Sequence, residues 1–315
     1  MKSKEDLVEF IDEFIDSFKN YSDISWDLYF YSTNFKDKNP YTLIKKRWKN
    51  STYIQSYSKS LLECVLKYQF SDVTEVEEYK GTNPKVSCDF LSNQNELVKE
   101  NLCNLMDSVC NYSDIKPKKK YKGYIILGHK NSEAGETLAL VKMANPIVKL
   151  DRAGKKTATF KETEEGSLDI FEEDYCKLYY NTDFLICPDG IYTFNLKFEK
   201  FFHLSSTMKV YRDRVIEKVV SKKIFKDSDE AAKNLKSTDP RKFLPIGEER
   251  IARLTDVNQR KIICKEFEIG IDEQGNIILE GSKDTKNFLD WLCYKTFEEA
   301  DTGNKIHANQ AKVLD

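Results

Sequence analysis

Pro188–Asp189 is followed by Asn195–Leu196–Lys197, a spacing with the outline of a metal-dependent nuclease site. In such sites an aspartate at a strand end and an acidic-x-Lys on the next strand gather oxygen ligands around Mg²⁺, while the lysine stabilises the attacking water. Here the acidic member is replaced by Asn195, and Asp189 stands before Gly190 in a Pro-Asp-Gly turn, where aspartate is an ordinary turn former. Asp284–Thr285–Lys286 repeats the D-x-K form at an expected helix start, where aspartate is an ordinary cap. The sequence holds no glycine-rich phosphate loop and no HExxH, GxSxG or EF-hand pattern. His129, His203 and His307 lie far apart, and the eight cysteines occur singly, without a CxxC or CxxH pair. Zinc sites draw their ligands from close pairs, so no metal and no cofactor is expected. The chain reads as non-enzymatic, with a divergent Mg²⁺ nuclease on Asp189 and Lys197 as the alternative.

Cations supply the stronger pattern. Lys116, Lys118, Lys119, Lys120 and Lys122 crowd one short stretch broken by Pro117 and closed by Gly123, which disfavours a stable helix. Tyr121 within it is expected to stack on a base or to lie along the backbone. Further on, Arg214, Lys218 and Lys222 recur every four residues along one flank of an expected helix, with Arg212 and Lys223 beside them. Arg241 and Lys242 extend the series, and the chain then passes Arg250 and Arg253 to the pair Arg260–Lys261. The net charge of −2 conceals this segregation, because both ends are acidic and the middle is basic. Such side chains bind phosphates by displacing counterions, with little sequence preference. The competing reading is an ordinary solvated surface in a lysine-rich composition.

The elements that would hold these residues follow from periodicity. Leu7, Val8, Ile11, Phe14, Ile15 and Phe18 repeat at helical spacing behind a Ser3 cap. Ile24, Trp26, Leu28 and Phe30 alternate with polar residues as a half-buried strand. Helices are predicted over about 50–68 and over about 93–109, the second capped by Asn93 with Glu96 as its box partner. Strands are expected at 124–129, 137–143, 147–150 and 157–160. The run FLICPDGIYTF should be a hairpin leading into a helix that Asn195 caps and that presents Phe198, Phe201 and Phe202 on one face. A longer helix carries Met208, Tyr211, Val215 and Val219 as its apolar stripe. A second hairpin turns at Gly275, and a last helix holds Phe288, Leu289, Trp291 and Leu292. The expected class is α+β: a small N-terminal α/β domain over 1–115, a basic linker at 116–123, and a larger domain over 124–315 with a mixed, mainly antiparallel sheet and packed helices. No apolar run reaches the ~18–20 residues of a membrane helix. The acidic, amphipathic start is unlike a signal peptide, so a cytoplasmic protein is expected.

Four stretches carry a family likeness: YYNTDFLICPDGIYTFNLKFEKFF, DPRKFLPIGEERIARL, GIDEQGNIILEG and FLDWLCYKTFEEADTGNKIHANQAK. In this order, over about residues 120–312, they resemble the KwaB-like domain family of the bacterial Kiwa anti-phage defence system. The resemblance implies a cytosolic subunit that works with a membrane-embedded partner, KwaA, and binds DNA to obstruct phage replication or transcription. It implies no established catalytic residue. The expected protein is a sequence-tolerant DNA-binding effector, homodimeric and recruited to the inner membrane through its partner. The DNA contacts are expected at Lys118, Lys119, Lys120, Lys122, Arg212, Arg214, Lys218, Lys222, Lys223, Arg241 and Lys242. Besides the nuclease, a protein-interaction module docking its acidic ends on a basic partner is the other alternative.

Overall fold

The computed structural model describes residues 2–19, 24–81, 87–112, 120–130, 136–148, 160–162, 168–170, 175–293, 296–298 and 305–307. Two compact units are present: Met1–Tyr79 with Asn83–His203, and Lys80–Thr82 with Leu204–Asp315.

The first unit opens with helix α1 (Lys4–Asp16). Ser3 Oγ accepts the Asp6 N–H and Asp6 returns a bond to the Ser3 N–H, a complete capping box. Leu7, Phe10, Ile11 and Phe14 form its buried face. Strands β1 (Ile24–Thr33) and β2 (Tyr41–Lys46) pair antiparallel, and α2 (Ser51–Cys64) follows behind its Asn50 cap. Next come β3 (Glu75–Glu78), β4 (Ser87–Ser92) and α3 (Lys99–Cys110). The Asn93 start expected for α3 is not used. The Asn93 N–H donates to the Asp189 carbonyl and Asn95 Oδ1 accepts the Leu97 N–H, so turns occupy the stretch before Lys99.

Strands β5 (Gly123–Lys130) and β6 (Thr137–Lys142) form an antiparallel pair. Short strands β7 (Ile147–Val148), β8 (Phe160–Glu162), β9 (Leu168–Ile170) and β10 (Tyr175–Cys176) make two small ladders, β7 with β10 and β8 with β9. Then β11 (Phe184–Cys187) and β12 (Gly190–Thr193) form the expected hairpin about Pro188–Asp189. A Cβ at Gly190 would lie 2.5 Å from the Leu91 carbonyl oxygen, so only glycine lets β12 approach β4 this closely. Helix α4 (Lys197–Phe201) closes the unit.

One eight-stranded sheet gathers these strands in the order β2-β1-β5-β6-β11-β12-β4-β3, antiparallel except for the β3–β4 edge. Trp26, Leu28 and Phe30 share a core cluster with Ile126, Leu140 and residues of α1 and α2. Across the sheet, the Phe201 ring meets those of Tyr31, Tyr41 and Phe184 at 5.0–5.3 Å. Helices therefore cover both faces. This explains why β1, expected to be half-buried, is buried without alternation from Tyr29 to Ser32. The α+β class with a mainly antiparallel sheet is the observed one. The expected division at 116–123 is not where the units part. β1 pairs with β5 from Ile24↔Lys130 to Tyr31↔Gly123, so residues on both sides of that stretch share a single sheet, and the chain changes unit at 203/204.

The second unit is mostly helical: α5 (Leu204–Val220), α6 (Ser228–Lys236), α7 (Glu248–Arg253), α8 (Val257–Glu266) and α9 (Ser282–Leu292). Strands β13 (Gly270–Ile271) and β14 (Ile277–Ile278) form the hairpin expected at Gly275, whose φ of +85° is the left-handed turn conformation. Val215, Ile216 and Val219 of α5 pack in one core with Phe243, Ile251, Phe288 and Leu292. A last ladder pairs β15 (Thr296–Glu298) with β16 (Lys305–His307). Among the described residues, no helix is long and apolar enough to cross a membrane.

Candidate nucleic-acid interface

The apolar stripe of α5 is seated in the core, and this fixes which residues face water. Arg214, Lys218 and Lys222 are exposed at intervals of four residues, the first two on one flank of α5 and Lys222 just beyond its end. Arg214 lies with its guanidinium 5.9 Å from the Tyr211 ring centre. Lys218 Nζ is 2.5 Å from Glu248 Oε1, with the lysine side chain 59% and the glutamate 84% exposed. That pairing pushes the lysine pKa up and the glutamate pKa down through the hydrogen bond first and the charge second. Lys223 follows with φ +54°, a left-handed residue that ends the helix and is itself exposed.

The other expected contacts fare differently. Arg212 turns inward: Nε donates to Asp213 Oδ1 at 2.9 Å and a terminal nitrogen to the Lys236 carbonyl at 2.7 Å, so it ties α5 to the end of α6. Arg241 and Lys242 stand in a 3-10 turn, Pro240–Phe243, that packs against α5. Both are half-buried, with Arg241 3.7 Å from Asp239. Lys120 and Lys122 are exposed in the first unit, and the Lys122 N–H extends the pairing next to β5 by donating to the Tyr31 carbonyl. Lys118 and Lys119 lie outside the described residues. Tyr121 does not stand out as a stacking ring; it packs edge-on to Phe30 at 5.1 Å with Lys46 Nζ 5.2 Å above its face.

Arg260, which the sequence sets beside Lys261, is 6% exposed. Its Nε donates to the Gly275 carbonyl and a terminal nitrogen to the Leu254 and Thr255 carbonyls. It is a buried strut between the end of α7 and the β13–β14 turn. Nothing in the sequence marks it off from Lys261 beside it except its place on the core side of α8.

The nuclease-like spacing also resolves into structure. Asp189 accepts the Tyr192 hydroxyl at 2.5 Å in the turn of the β11–β12 hairpin. Lys197 instead reaches Asp183, at the other end of that hairpin: Nζ is 2.8 Å from Asp183 Oδ1. The two members of the expected pair are therefore held apart by the length of the strands. Asp183, 2% exposed, also accepts the Met143 N–H at 2.7 Å and the Asn195 amide at 3.4 Å, and Lys142 Nζ stands 3.6 Å away. Burial pulls its pKa upward, but the hydrogen bonds from Lys197 and Met143 and the two ammonium charges outweigh it, so the carboxyl sits below its usual range. A carboxylate surrounded by donors is saturated, not poised to bind a cation. Among the described residues, no three His, Cys, Asp or Glu side chains converge as a metal-binding group.

With the basic flank of α5, the donor-saturated Asp183 and the shared sheet in view, comparison with known proteins adds one match. No curated protein and no solved structure matches the chain. The family described as Kiwa protein KwaB-like matches residues 118–295, which run from β5 through the whole of α9. That span is more than half of the chain, and the chain belongs to the KwaB-like family of Kiwa anti-phage defence proteins.

Proposed function

We propose that this chain is a DNA-binding effector subunit of its defence system, tolerant of sequence and acting without catalysis of its own. The observation that carries the reading is the exposed row of Arg214 and Lys218 on α5 with Lys222 just past its end, the opposite face of the helix being locked into a core. Rigid cations at a helical repeat suit a phosphate backbone, which gains affinity from released counterions and carries no base identity. Glu248 does not defeat this. It is among the most exposed of the paired acids, and a phosphate competes with it for Lys218 on equal terms in water. Arg241 and Lys242 lie on the turn beside α5 and are secondary contacts; Lys120 and Lys122 belong to the first unit and contribute separately. In this reading the protein is a homodimer in the cytoplasm, recruited to the inner membrane by the membrane-embedded partner KwaA, and it obstructs phage replication or transcription by occupying DNA.

The test is a duplex titration by gel shift at two salt concentrations. Binding should weaken steeply with salt, and changing Lys218, Lys222 and Lys223 together to Glu should abolish it. Undiminished binding by that variant removes α5 from the interface. Incubation of the protein with plasmid and several divalent metals tests the catalytic alternative, since a binder leaves the DNA uncut.

A further inference from the structure

Tyr57, Tyr121 and Tyr179, from three separated stretches of the first unit, pack against one core cluster. Residues 41–62 include Lys45, Lys46, Arg47, Lys49 and Lys59; residues 120–130 include Lys120, Lys122 and Lys130; residues 175–182 include Lys177. Lys45, on the opposite side of β2 from Lys46, is engaged by Asp27, Lys130 by Glu13 and Glu136, and Lys59 by Glu63. The rest of the surface combines lysines with tyrosine rings. Tyr53 and Tyr57 share a face of α2, one turn apart. The Tyr57 ring lies 5.3 Å from that of Tyr180, tilted by 40°. Its hydroxyl is fixed to the Tyr179 carbonyl at 2.6 Å, which sets the ring's position. Tyr53 and Tyr180 remain 60% and 55% exposed. Lys46 joins the group from the other side through Tyr121, its Nζ 3.3 Å from that hydroxyl. Lys177 joins it through Tyr179, its Nζ 5.1 Å from the centre of that ring.

We propose that this face of the first unit binds single-stranded nucleic acid, with bases stacked on Tyr53 and Tyr180 and phosphates following Lys46, Lys122 and Lys177. It builds on the nucleic-acid reading above and gives it a strand form, using side chains of the other unit. The chemistry discriminates between ligands. A duplex hides the faces of its bases inside the stack and meets only the lysines, whereas an unpaired strand offers a π-face to each exposed ring. An acidic protein would be drawn by the charge alone and would be indifferent to the rings.

Fluorescence anisotropy of the full chain with labelled oligothymidylate, oligouridylate and a blunt duplex tests it. Replacing both rings (Tyr53→Ala with Tyr180→Ala) should weaken both single strands by at least roughly 30-fold and leave the duplex unchanged, while Tyr53→Phe with Tyr180→Phe should bind as the parent does. Lys46→Glu with Lys177→Glu gives an independent variant and should steeply reduce single-strand binding. A parent protein that binds duplex but neither single strand overturns this inference and spares the α5 reading. Single-strand binding abolished by the α5 variant but untouched by both face variants also overturns it. Single-strand binding with no duplex binding supports the face and overturns the α5 reading instead. Equal affinity for the two single strands is expected, because ring and lysine contacts do not read the sugar.

Discussion

At the scale of single residues, Asp183 and Arg260 are charges buried inside the fold. Asp183 accepts from an ammonium, a backbone N–H and an amide while 2% exposed, so removing its charge leaves Lys142, whose side chain is 12% exposed, without its counter-ion. Breaking a buried pair in this way costs about 3–5 kcal/mol, so Asp183→Asn should lower the melting temperature markedly at neutral pH. The pH dependence has a definite sign. The native carboxyl ionises below the ordinary aspartate value of about 3.9, so its contribution is complete above that value and disappears as pH falls through the lower native one. Denaturant unfolding of both proteins across the acid range should show the stability gap closing only there; a gap constant down to full protonation would contradict the assignment. Arg260 makes the complementary case. Its three carbonyl partners are lost in Arg260→Met, which should destabilise by about 2–3 kcal/mol yet leave the salt dependence of DNA binding as it was, since the guanidinium never reaches the surface.

At the scale of elements, the C-terminal end of α5 is where stability and binding can be separated. Lys223 occupies the left-handed region at φ +54°, a conformation that costs a non-glycine residue about 1 kcal/mol. Lys223→Gly should therefore raise the melting temperature, measured by circular dichroism, while removing one cation from the row; a lowered melting temperature would mean that the lysine side chain holds the helix end by contacts stronger than that strain. Elements of this kind were readable from the sequence wherever the cause was local. The Ser3 cap, the Pro188–Asp189 turn and the Gly275 hairpin all depend on residues within a few positions of one another, and each stands where its residues point. What the sequence did not disclose depends on distant partners. Asn93 and Glu96 make a plausible helix start in isolation, but a backbone bond from Asn93 to Asp189 claims that stretch for the sheet end. The flank Arg214, Lys218 and Lys222 was legible because one helix and the turn that ends it supply all of it, whereas Arg260 could not be told from its basic neighbour until α7 and the β13–β14 turn came round it. Asp183 was invisible for the same reason, since Lys142 and Lys197 reach it from two other segments.

At the scale of the whole molecule, the family match and the folding unit do not coincide, and this has a consequence for any fragment. Residues 118–295 contain β5, β6, β11 and β12 but omit β1, β2, β3 and β4. In the sheet order, β5 lies against β1 and β12 against β4, so cutting at 118 strips both sides of the remaining four strands and removes α1 and α2 from one face. Tyr124, Ile126, Leu138 and Leu140, buried against those helices, would then meet water. Burying each such side chain stabilises by about 1.5–3 kcal/mol, and losing several exceeds the whole 5–15 kcal/mol margin of an ordinary domain. Two uncovered apolar strand edges also pair readily with other chains. A fragment beginning at residue 118 should accordingly aggregate, bind a hydrophobic dye and melt without a cooperative transition. The full chain should unfold cooperatively, and its DNA binding should track that unfolding. Cooperative melting of a soluble 118–295 fragment, with far-ultraviolet dichroism showing intact strands, would mean that the four central strands find another cover and that the sheet is not one folding unit.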